Sequence, residues 1–338
     1  MTERPKVVVT HRVHEPVKKF LSHQCEVTAN EDVESWPSSI LLSRLQDADA
    51  VMAFMPDKID EAFLAHCQRL KIIAAALKGH DNIDVEACTR HGVWLTIVPD
   101  LLALPTAELA MALVLGIARN VPAGDRLVRR GQFYGWRPIL YGGGLTGKTV
   151  GILGMGKLGQ AFARLLNGFN VNLLYYDPVK LGPVQEAYLG LNRADMEELI
   201  SKSEIIVLLA PLTSTTLHLI NTETIAKMKP GTYLVNVGRG SVVDEHAVAK
   251  ALQQGHLAGY AADTFEMEDR ARADSPPTVC RSLIEDPDHT LLTPHLGSAV
   301  KHVRLEIEFA AAKSILQALA GETPAGAINK PGRARAGK

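Results

Sequence analysis

The sequence predicts an α/β fold with two domains, each built on a parallel sheet. The chain has 338 residues, enough for about two domains. Short apolar runs alternate with segments of helical spacing along most of the chain, and this alternation is typical of parallel strands joined by crossover helices. A glycine-rich turn near the middle of the chain marks the start of the second sheet.

The N-terminal part of the chain predicts the first sheet. Apolar runs typical of buried strands occupy residues 6–10, 25–28, 50–54, 70–76 and 93–98, with helical segments between them. The stretch from Ala107 to Arg119 has apolar residues at helical spacing and predicts a long buried helix that joins the two domains.

A second run of strands predicts a larger sheet. These strands occupy residues 149–153, 171–176, 205–210, 232–237, 258–262 and 290–293, and a long helix is predicted over 300–319. Strands of this number with crossover helices predict a complete doubly wound sheet.

The turn that opens this sheet predicts nucleotide binding. It reads Gly154-Met155-Gly156-Lys157-Leu158-Gly159, between a strand and a helix. The first glycine allows the tight turn, the second lets a pyrophosphate approach the backbone, and the third lets helix and strand pack closely. Asp177 ends the next strand and suits a ribose 2′-hydroxyl. We therefore predict a Rossmann domain that binds NAD, over the alternative of a purely structural turn.

Candidate reacting groups follow other strands of the same sheet, where ligands of doubly wound sheets bind. The strand ends carry Gly154, Asp177, Pro211, Gly238-Arg239-Gly240, Asp263 and Pro294-His295. His295 is a candidate general base near neutral pH, the alternative being a surface histidine. Arg239 is a candidate bidentate ligand for an oxyanion, the alternative being a salt-bridged turn arginine.

An acidic run after Asp263 offers a partner for the histidine. A carboxylate bonded to a catalytic histidine would fix its tautomer. Glu266, Glu268 and Asp269 are all candidates on composition alone. Such a run is also typical of a solvated loop, so the sequence leaves the choice open.

The first domain contributes two candidates at strand ends. Lys78 ends a strand next to Gly79 and would supply a point charge for an anion, unless it is a solvated loop lysine. Met55 ends another strand and suits either packing or the lining of a pocket.

Composition excludes several other classes of protein. The net charge is −1, which argues against a broad nucleic-acid or membrane surface. The four cysteines are scattered without a C-x-x-C pair and predict reduced thiols in a cytoplasmic protein. Apolar runs are too short for a membrane span, which needs about 20 residues, and no targeting segment is evident. His11 and His14 lack a third ligand nearby and favour a structural role over a metal site.

Several stretches resemble the D-2-hydroxyacid dehydrogenase family. They are Gly79-His-Asp-Asn-Ile-Asp84, Pro105-Thr-Ala-Glu-Leu109, Gly151-Ile-Leu-Gly-Met-Gly-Lys-Leu-Gly159, Asn236-Val-Gly-Arg-Gly-Ser-Val-Val-Asp244 and Thr293-Pro-His-Leu-Gly297. The resemblance implies a discontinuous, flavodoxin-like substrate domain, residues 1–103 plus 300–338, into which the Rossmann domain 104–299 is inserted. It also implies that Arg239 binds substrate, that His295 is the acid/base and that Glu268 orients it.

Within this family the chain looks closer still to the phosphite dehydrogenases. Matching stretches include Met52-Ala-Phe-Met-Pro-Asp57, Ala76-Leu-Lys-Gly79, Phe265-Glu-Met-Glu-Asp269 and Arg304-Leu-Glu-Ile-Glu308. This resemblance implies that Met55, Lys78, Gly79 and Arg304 contact the substrate. The chain departs from the pattern at Val237-Gly238, where proline and cysteine are expected, and at Arg270, where a tryptophan is expected. The first departure puts cofactor packing in doubt.

The predicted function is NAD-dependent oxidation of phosphite to phosphate in a cytoplasmic homodimer. Three cations, Lys78, Arg239 and Arg304, suit a compact dianion better than a monocarboxylate. We assign cofactor binding to Gly154, Met155, Gly156, Lys157, Leu158, Gly159, Asp177, Pro178, Pro211, Thr106, Val237, Gly238, Asp263, His295 and Gly297. Lys180 near Asp177 allows some use of NADP. The alternatives are a D-2-hydroxyacid dehydrogenase or 2-keto acid reductase, and an NAD-sensing corepressor, which has no need of all three groups Arg239, Glu268 and His295.

Overall fold

The structure is a computed structural model that describes residues 3–332. It divides into two compact units. The first unit holds the described residues up to Leu102, the short segment Arg270–Ala273 and the described residues from Val300 onward. The second unit holds Ala103–Asp269 and Asp274–Ala299. Each unit is built on one parallel sheet, so the predicted pair of parallel-sheet α/β domains is confirmed.

The strands are β1 (Lys6–Val9), β2 (Glu26–Ala29), β3 (Ala50–Ala53), β4 (Ile72–Ala75), β5 (Trp94–Thr96), β6 (Thr149–Leu153), β7 (Asn172–Tyr176), β8 (Leu191–Arg193), β9 (Ile205–Leu208), β10 (Thr232–Asn236), β11 (Leu257–Ala262) and β12 (Thr290–Leu292). The α-helices are α1 (Glu15–Ser22), α2 (Ser38–Leu45), α3 (Glu61–His66), α4 (Val85–Arg90), α5 (Ala103–Ala118), α6 (Val121–Arg129), α7 (Lys157–Leu166), α8 (Pro183–Leu189), α9 (Met196–Lys202), α10 (Thr222–Ala226), α11 (Glu245–Gln253), α12 (Arg281–Ile284) and α13 (Lys301–Leu319).

The first unit has a five-stranded sheet in the order β2-β1-β3-β4-β5, which is the flavodoxin-like order. Successive residues of β1 point to opposite faces, as the strand period requires. Val7 and Val9 pack into the cluster that includes Ile307 of α13, whereas Val8 packs into the cluster that includes Leu64 of α3. Both faces of the sheet are therefore covered, and its carboxyl edge is left for ligands.

A short C-terminal segment borders the edge strand β5. Ala327 pairs with Thr96 in an antiparallel bridge. Ile97 N donates to Gly326 O at 3.0 Å, and Ile328 N donates to Leu95 O at 3.0 Å. We call residues 325–329 the strap, because they cover the hydrogen-bonding edge of the first sheet.

The second unit has a seven-stranded parallel sheet in the order β12-β11-β10-β9-β6-β7-β8. Six strands were predicted here, and β8 was missed. The prediction was wrong because β8 is only Leu191–Arg193, and its second and third residues are polar and exposed, so it carries no apolar run. Apart from β12, the observed order matches the doubly wound dinucleotide-binding order.

The helix predicted over 107–119 begins earlier and is the core helix of the second unit. Helix α5 includes Pro105 in its first turn, a position that tolerates proline because the first N–H groups lack intrahelical partners. Among residues 3–332, no single helix is long and apolar enough to cross a membrane, and α5 with α6 passes that test only as a bent pair. The four cysteines are free, as predicted, and all four are buried.

Candidate active site

The three glycines of the nucleotide turn differ in the space around their α-carbons. Gly154 has a φ of +98°, and a Cβ there would lie 2.8 Å from Ala210 N. A Cβ on Gly159 would lie 2.3 Å from Gly154 O, so only glycine lets α7 pack against the turn. Gly156 is different, because a Cβ there would meet no atom within 4 Å. The open space at Gly156, at the N-terminus of α7, fits the close approach of a pyrophosphate.

Asp177 lies directly beside this turn. Its Oδ2 accepts a hydrogen bond from Met155 N at 2.7 Å, and its Oδ1 accepts one from Val179 N at 2.8 Å. Arg193, at the end of β8, donates to the Asp177 carbonyl at 3.2 Å. Arg193 was not predicted from the sequence because β8 was not predicted, yet this arginine contacts the backbone of Asp177, the predicted ribose ligand.

The other strand ends of this sheet lie around the same rim. A Cβ on Gly238 would lie 2.7 Å from Ala210 O. Glycine at this position therefore lets the loop after β10 approach the segment between β9 and Pro211. A Cβ on Gly297 would lie 3.0 Å from Thr106 Oγ1 and 3.4 Å from Asp263 Oδ2. Thr106, Asp263 and Gly297 are therefore neighbours, although they are far apart in sequence.

His295 contacts one of the three acids that the sequence left open. Its Nδ1 lies 2.5 Å from Glu268 Oε2, and Glu268 Oε1 accepts a hydrogen bond from Phe265 N at 2.8 Å. Glu266 instead pairs with His218 at 2.8 Å, and Asp269 accepts from Ser241 N at 2.8 Å. The geometry therefore selects Glu268. Because a carboxylate only accepts here, Nδ1 carries the proton and Nε2 is the acceptor.

Asp263 holds the loop that carries this histidine. Its carboxylate accepts from Thr293 Oγ1 at 2.6 Å, from Leu296 N at 2.7 Å and from Gly297 N at 2.9 Å. Burial raises the pKa of Asp263, and these hydrogen bonds oppose the rise. His295 itself has a φ of 55°, a left-handed conformation that is costly for a residue other than glycine. The Asp263 contacts maintain that conformation.

Arg239 lies in the loop after β10, and this loop packs closely against the segment at Phe265. A Cβ on Gly240 would lie 1.9 Å from Phe265 C, so residue 240 must be glycine for the two loops to pack. The Arg239 side chain is half-buried, and its Nη1 donates to Gly238 O at 2.9 Å. Its backbone carbonyl accepts from Asn236 Nδ2 at 2.9 Å. The packing of this loop brings Arg239 close to the Phe265–Glu268 turn in the second unit.

In the first unit, the predicted substrate residues converge at the carboxyl ends of β3 and β4. The Arg304 guanidinium donates to Ala76 O at 3.3 Å and lies 5.6 Å from the Phe54 ring centroid. Lys78 is two residues beyond Ala76, and its Nζ lies 3.9 Å from Asp100 Oδ1. Burial lowers the pKa of Arg304, and Glu308 opposes the shift. Two cations therefore share this edge with Gly79.

Met55 follows Phe54 at the end of β3 and is half-buried. It packs against the apolar cluster that includes Ile73 and Leu77. Met55 therefore has a packing role, which is one of the two alternatives that its sequence position suggested; the other is the lining of a pocket.

Comparison with known proteins decides the family. Residues 111–297 match the model of the D-isomer specific 2-hydroxyacid dehydrogenase, NAD binding domain. The chain belongs to the D-isomer specific 2-hydroxyacid dehydrogenase family. This oxidoreductase therefore carries an NAD-binding domain, as predicted.

Relatives of this dehydrogenase match over nearly its whole length. The glyoxylate reductase of Pyrococcus furiosus is 37% identical over 97% of this chain and 96% of its own. A Thermus thermophilus structure has a TM-score of 0.85 at 31% identity, covering 96% of this chain and 100% of its own. An NADPH-dependent glyoxylate/hydroxypyruvate reductase from Sinorhizobium meliloti, in complex with NADP and malonate, has a TM-score of 0.84 at 25% identity, covering 99% and 100%.

The relatives bear on the predicted substrate. Their names favour the alternative, a 2-hydroxy or 2-keto acid, over phosphite. The family-level prediction is therefore confirmed, whereas phosphite is a finer prediction that these names do not support.

Proposed function

We propose that this oxidoreductase oxidises phosphite to phosphate with NAD as the hydride acceptor. The observation that carries the proposal is the pair of cations at the end of β4. Arg304 is fixed there by Ala76 O and by the Phe54 ring, and Lys78 follows two residues later. Phosphite is compact and doubly charged near neutral pH, so two adjacent cations stabilise it more than they would a monocarboxylate.

The charged groups have complementary roles in this proposal. Arg239 offers a planar fork for two oxygens of the anion, whereas Lys78 offers a point charge. Arg304 is half-buried and hydrogen-bonded to a carbonyl, so its position is defined before the substrate arrives. Fixed cations lower the energy of a charged transition state without reorganisation. We accordingly propose that the first unit is the substrate domain and that the second binds the cofactor, close to the predicted boundaries.

His295 is the proposed acid/base. Its Nδ1 is held by Glu268, so its Nε2 is available to take a proton from the water that attacks phosphorus. NAD, when bound, accepts the hydride at its nicotinamide ring. The reaction balances as phosphite, NAD⁺ and water giving phosphate, NADH and a proton. Glu268 acts through His295 and is a positioning residue.

Cofactor preference is proposed to rest on Asp177. A carboxylate at the ribose hydroxyls favours NAD and repels a 2′-phosphate. Arg193 contacts the Asp177 carbonyl, and Lys180 is exposed three residues beyond Asp177. These cations oppose the repulsion, so we propose some use of NADP.

A second candidate is the interconversion of a 2-hydroxy acid and a 2-keto acid. The specific observation that favours it is the name of the relatives, glyoxylate reductase, at 37% identity over nearly the whole chain. In that reaction Arg239 would bind the carboxylate, and His295 would take the hydroxyl proton.

One assay separates the candidates. The enzyme is mixed with NAD and either phosphite or a panel of 2-hydroxy acids, and with NADH and glyoxylate, while NADH absorbance is followed. We expect the highest kcat/KM with phosphite. A higher value with glyoxylate or a hydroxy acid would replace the proposal with the second candidate, and no turnover in any arm would favour an NAD-sensing binding protein.

We also propose that the enzyme is a cytoplasmic homodimer. Large apolar side chains are exposed along α6 and the segment after it, namely Val121, Val128, Phe133, Tyr134, Trp136 and Tyr141. Exposed apolar patches mark surfaces through which proteins associate with one another. The buried, free thiols fit a reducing compartment. Light scattering should give the mass of two chains, and the substitutions Val128→Glu with Phe133→Glu should reduce it to one.

A further inference from the structure

The first unit contains a groove of about 490 Å³ that is lined by none of the proposed substrate residues. One wall is a face of α13, including Phe309 and Lys313. The second wall is the segment Ile97–Leu101 that leaves β5, and the third is the strap at Ala325 and Gly326. Its volume falls within the range of small-molecule sites, about 300–1,000 Å³.

The helix wall is apolar in the middle and charged at its ends. Glu306, Phe309, Ala310, Lys313 and Gln317 recur at the spacing of a single helix face. Phe309 and Ala310 line the groove together with Val98 and Leu101. Glu306 and Lys313 are about 10 Å apart along the axis, given a rise of about 1.5 Å per residue. The groove therefore suits a ligand with an apolar body and one charged end.

Two side chains with donor groups, Lys313 and Gln317, line the groove near the strap. Gln317 Oε1 accepts from Ala325 N at 2.8 Å, and its Nε2 is a donor that this contact does not use. Lys313 precedes it by four residues on the same face, and its side chain has no carboxylate partner among residues 3–332. An ammonium and an amide N–H pair at one end of an apolar groove match a carboxylate.

The strap wall is held in place before any ligand binds. Ser314 Oγ donates to Ala325 O at 2.8 Å. Gly326 has a φ of +73°, and a Cβ there would lie 2.2 Å from Ile97 O. This close approach requires glycine and fixes the strap against Ile97. A preformed wall reduces the ordering cost of binding.

The opposite wall leads to the proposed substrate lysine. Val98 N donates to Leu77 O at 2.8 Å, and Asp100 Oδ1 lies 3.9 Å from Lys78 Nζ. Pro99 and Leu101, which flank Asp100, line the groove. A ligand that contacts these two residues therefore contacts the segment that sets the Asp100–Lys78 distance.

We propose that this groove binds a small apolar carboxylate and that its occupancy changes the affinity of the substrate for Lys78. The carboxylate binds Lys313 and Gln317, and the alkyl chain lies against Phe309, Val98 and Leu101. The coupling rests on the proposed role of Lys78, whereas the binding does not. Coupling of this kind is reciprocal, so substrate must change the affinity of the groove by the same factor.

Binding is tested by titrating octanoate into the full-length enzyme without substrate, by calorimetry. We expect saturable binding to one site per chain. Lys313→Gln should weaken it by about tenfold or more, since a charge-assisted hydrogen bond is lost. Glu306→Gln should tighten octanoate binding. For octylamine the two effects should be reversed, with weaker binding in Glu306→Gln and tighter binding in Lys313→Gln. Lys19→Gln, at an exposed lysine on α1, is the matched control and should leave binding unchanged.

Two results would overturn the binding proposal: no saturable octanoate binding, or equal affinity in the wild type and Lys313→Gln. The coupling is tested separately, with whichever substrate the enzyme turns over. Saturating octanoate should change the substrate KM by about twofold or more, which corresponds to a modest coupling free energy. Asp100→Ala should abolish that change. An unchanged KM at saturation would overturn the coupling, and lack of turnover on the whole panel would overturn only the proposed function.

Discussion

His295 Nδ1 lies 2.5 Å from Glu268 Oε2, and the other oxygen of that carboxylate accepts a hydrogen bond from Phe265 N. Both oxygens of Glu268 are therefore held, one by the imidazole and one by the backbone. The carboxylate fixes the tautomer of His295 and leaves Nε2 as the acceptor. The proposed proton transfer depends on this relationship.

Replacing Glu268 with glutamine should therefore slow the reaction without preventing cofactor binding. The amide can present a donor to Nδ1, so the tautomer with the proton on Nε2 becomes populated and cannot accept a proton from the attacking water. We expect kcat to fall by about two to four orders of magnitude, the range of general acid–base catalysis. Steady-state kinetics and NADH fluorescence titration measure the two effects. A kcat within a few-fold of wild type, with NAD affinity unchanged, would contradict the assignment.

Replacing Lys78 with methionine should raise the KM for substrate more than it lowers kcat. The apolar stem is kept while the point charge next to Arg304 is lost, so ground-state binding of the anion weakens. We expect about a tenfold or larger rise, corresponding to about 1.4 kcal/mol. Lys58→Met removes a surface lysine that contacts Asp60 and is the matched control. Equal KM values for both variants would exclude Lys78 from substrate binding.

Cofactor preference should change in opposite directions at two neighbouring positions. Asp177→Ala removes the charge that repels a 2′-phosphate, so the ratio of kcat/KM for NADP to that for NAD should rise by about tenfold or more. Arg193→Ala removes a cation from the same region and should lower that ratio. Comparison of the two cofactors in both variants gives the result. An unchanged ratio in Asp177→Ala would show that another residue selects the cofactor.

Thr264→Val should stabilise the enzyme. Thr264 Oγ1 is buried and has no hydrogen-bond partner among residues 3–332. An unsatisfied buried hydroxyl costs about 1–3 kcal/mol, and valine has nearly the same shape. We expect the unfolding temperature to rise by a few degrees. Thr293→Val is the matched control, since its hydroxyl donates to Asp263 at 2.6 Å and its loss should destabilise. A lower melting temperature for Thr264→Val would indicate an ordered water on that hydroxyl.

Asp57 should make stability depend on pH. Its Oδ2 accepts from Thr10 Oγ1 at 2.5 Å and from Phe54 N at 2.8 Å, but burial is the larger effect and raises the pKa of Asp57 above its ordinary value. Burial also lowers the pKa of the nearby His11, which disfavours the imidazolium that would otherwise offset the Asp57 charge.

The sign follows from proton linkage. Between the unfolded and the raised folded pKa, the folded state binds more protons, so the free energy of unfolding falls as pH rises through that interval. Asp57→Asn lacks this ionisation. The melting temperature of the variant minus that of wild type should therefore become more positive as the pH rises above about 4, the ordinary pKa of an aspartate. A constant difference would contradict the raised pKa.

The rule that ligands bind at strand ends was sufficient to predict much of the candidate site. Gly154, Asp177 and His295 each follow an apolar strand of one parallel sheet in the second unit, although the strand before His295, β12, is at the sheet edge and is separated from β6 by three strands. The acid that contacts His295 was not predictable from spacing, because Glu266, Glu268 and Asp269 lie within one short turn. The folded contacts distinguish them, since Glu268 contacts His295, whereas Glu266 pairs with His218 and Asp269 accepts from Ser241 N.

Contacts between distant segments were also beyond the sequence. Residues Arg270–Ala273 belong to the first unit, where Ala271 N donates to Asn82 Oδ1 at 3.0 Å. Arg304 reaches Ala76 O across a separation of 228 residues. No local pattern encodes such contacts, since they depend on how helices pack onto the sheet. Arg193 was missed for a local reason: its strand is too short and too polar to give an apolar run.

Isotope transfer is the decisive test of hydride transfer from phosphite to NAD. The enzyme is incubated with NAD and phosphite that carries deuterium on phosphorus, or with glycolate that carries deuterium on the carbon bearing the hydroxyl. The reduced cofactor is then analysed by mass spectrometry. We expect deuterated NADH from phosphite, in amounts equal to the phosphate formed. Deuterium from glycolate alone, or from neither substrate, would contradict this transfer.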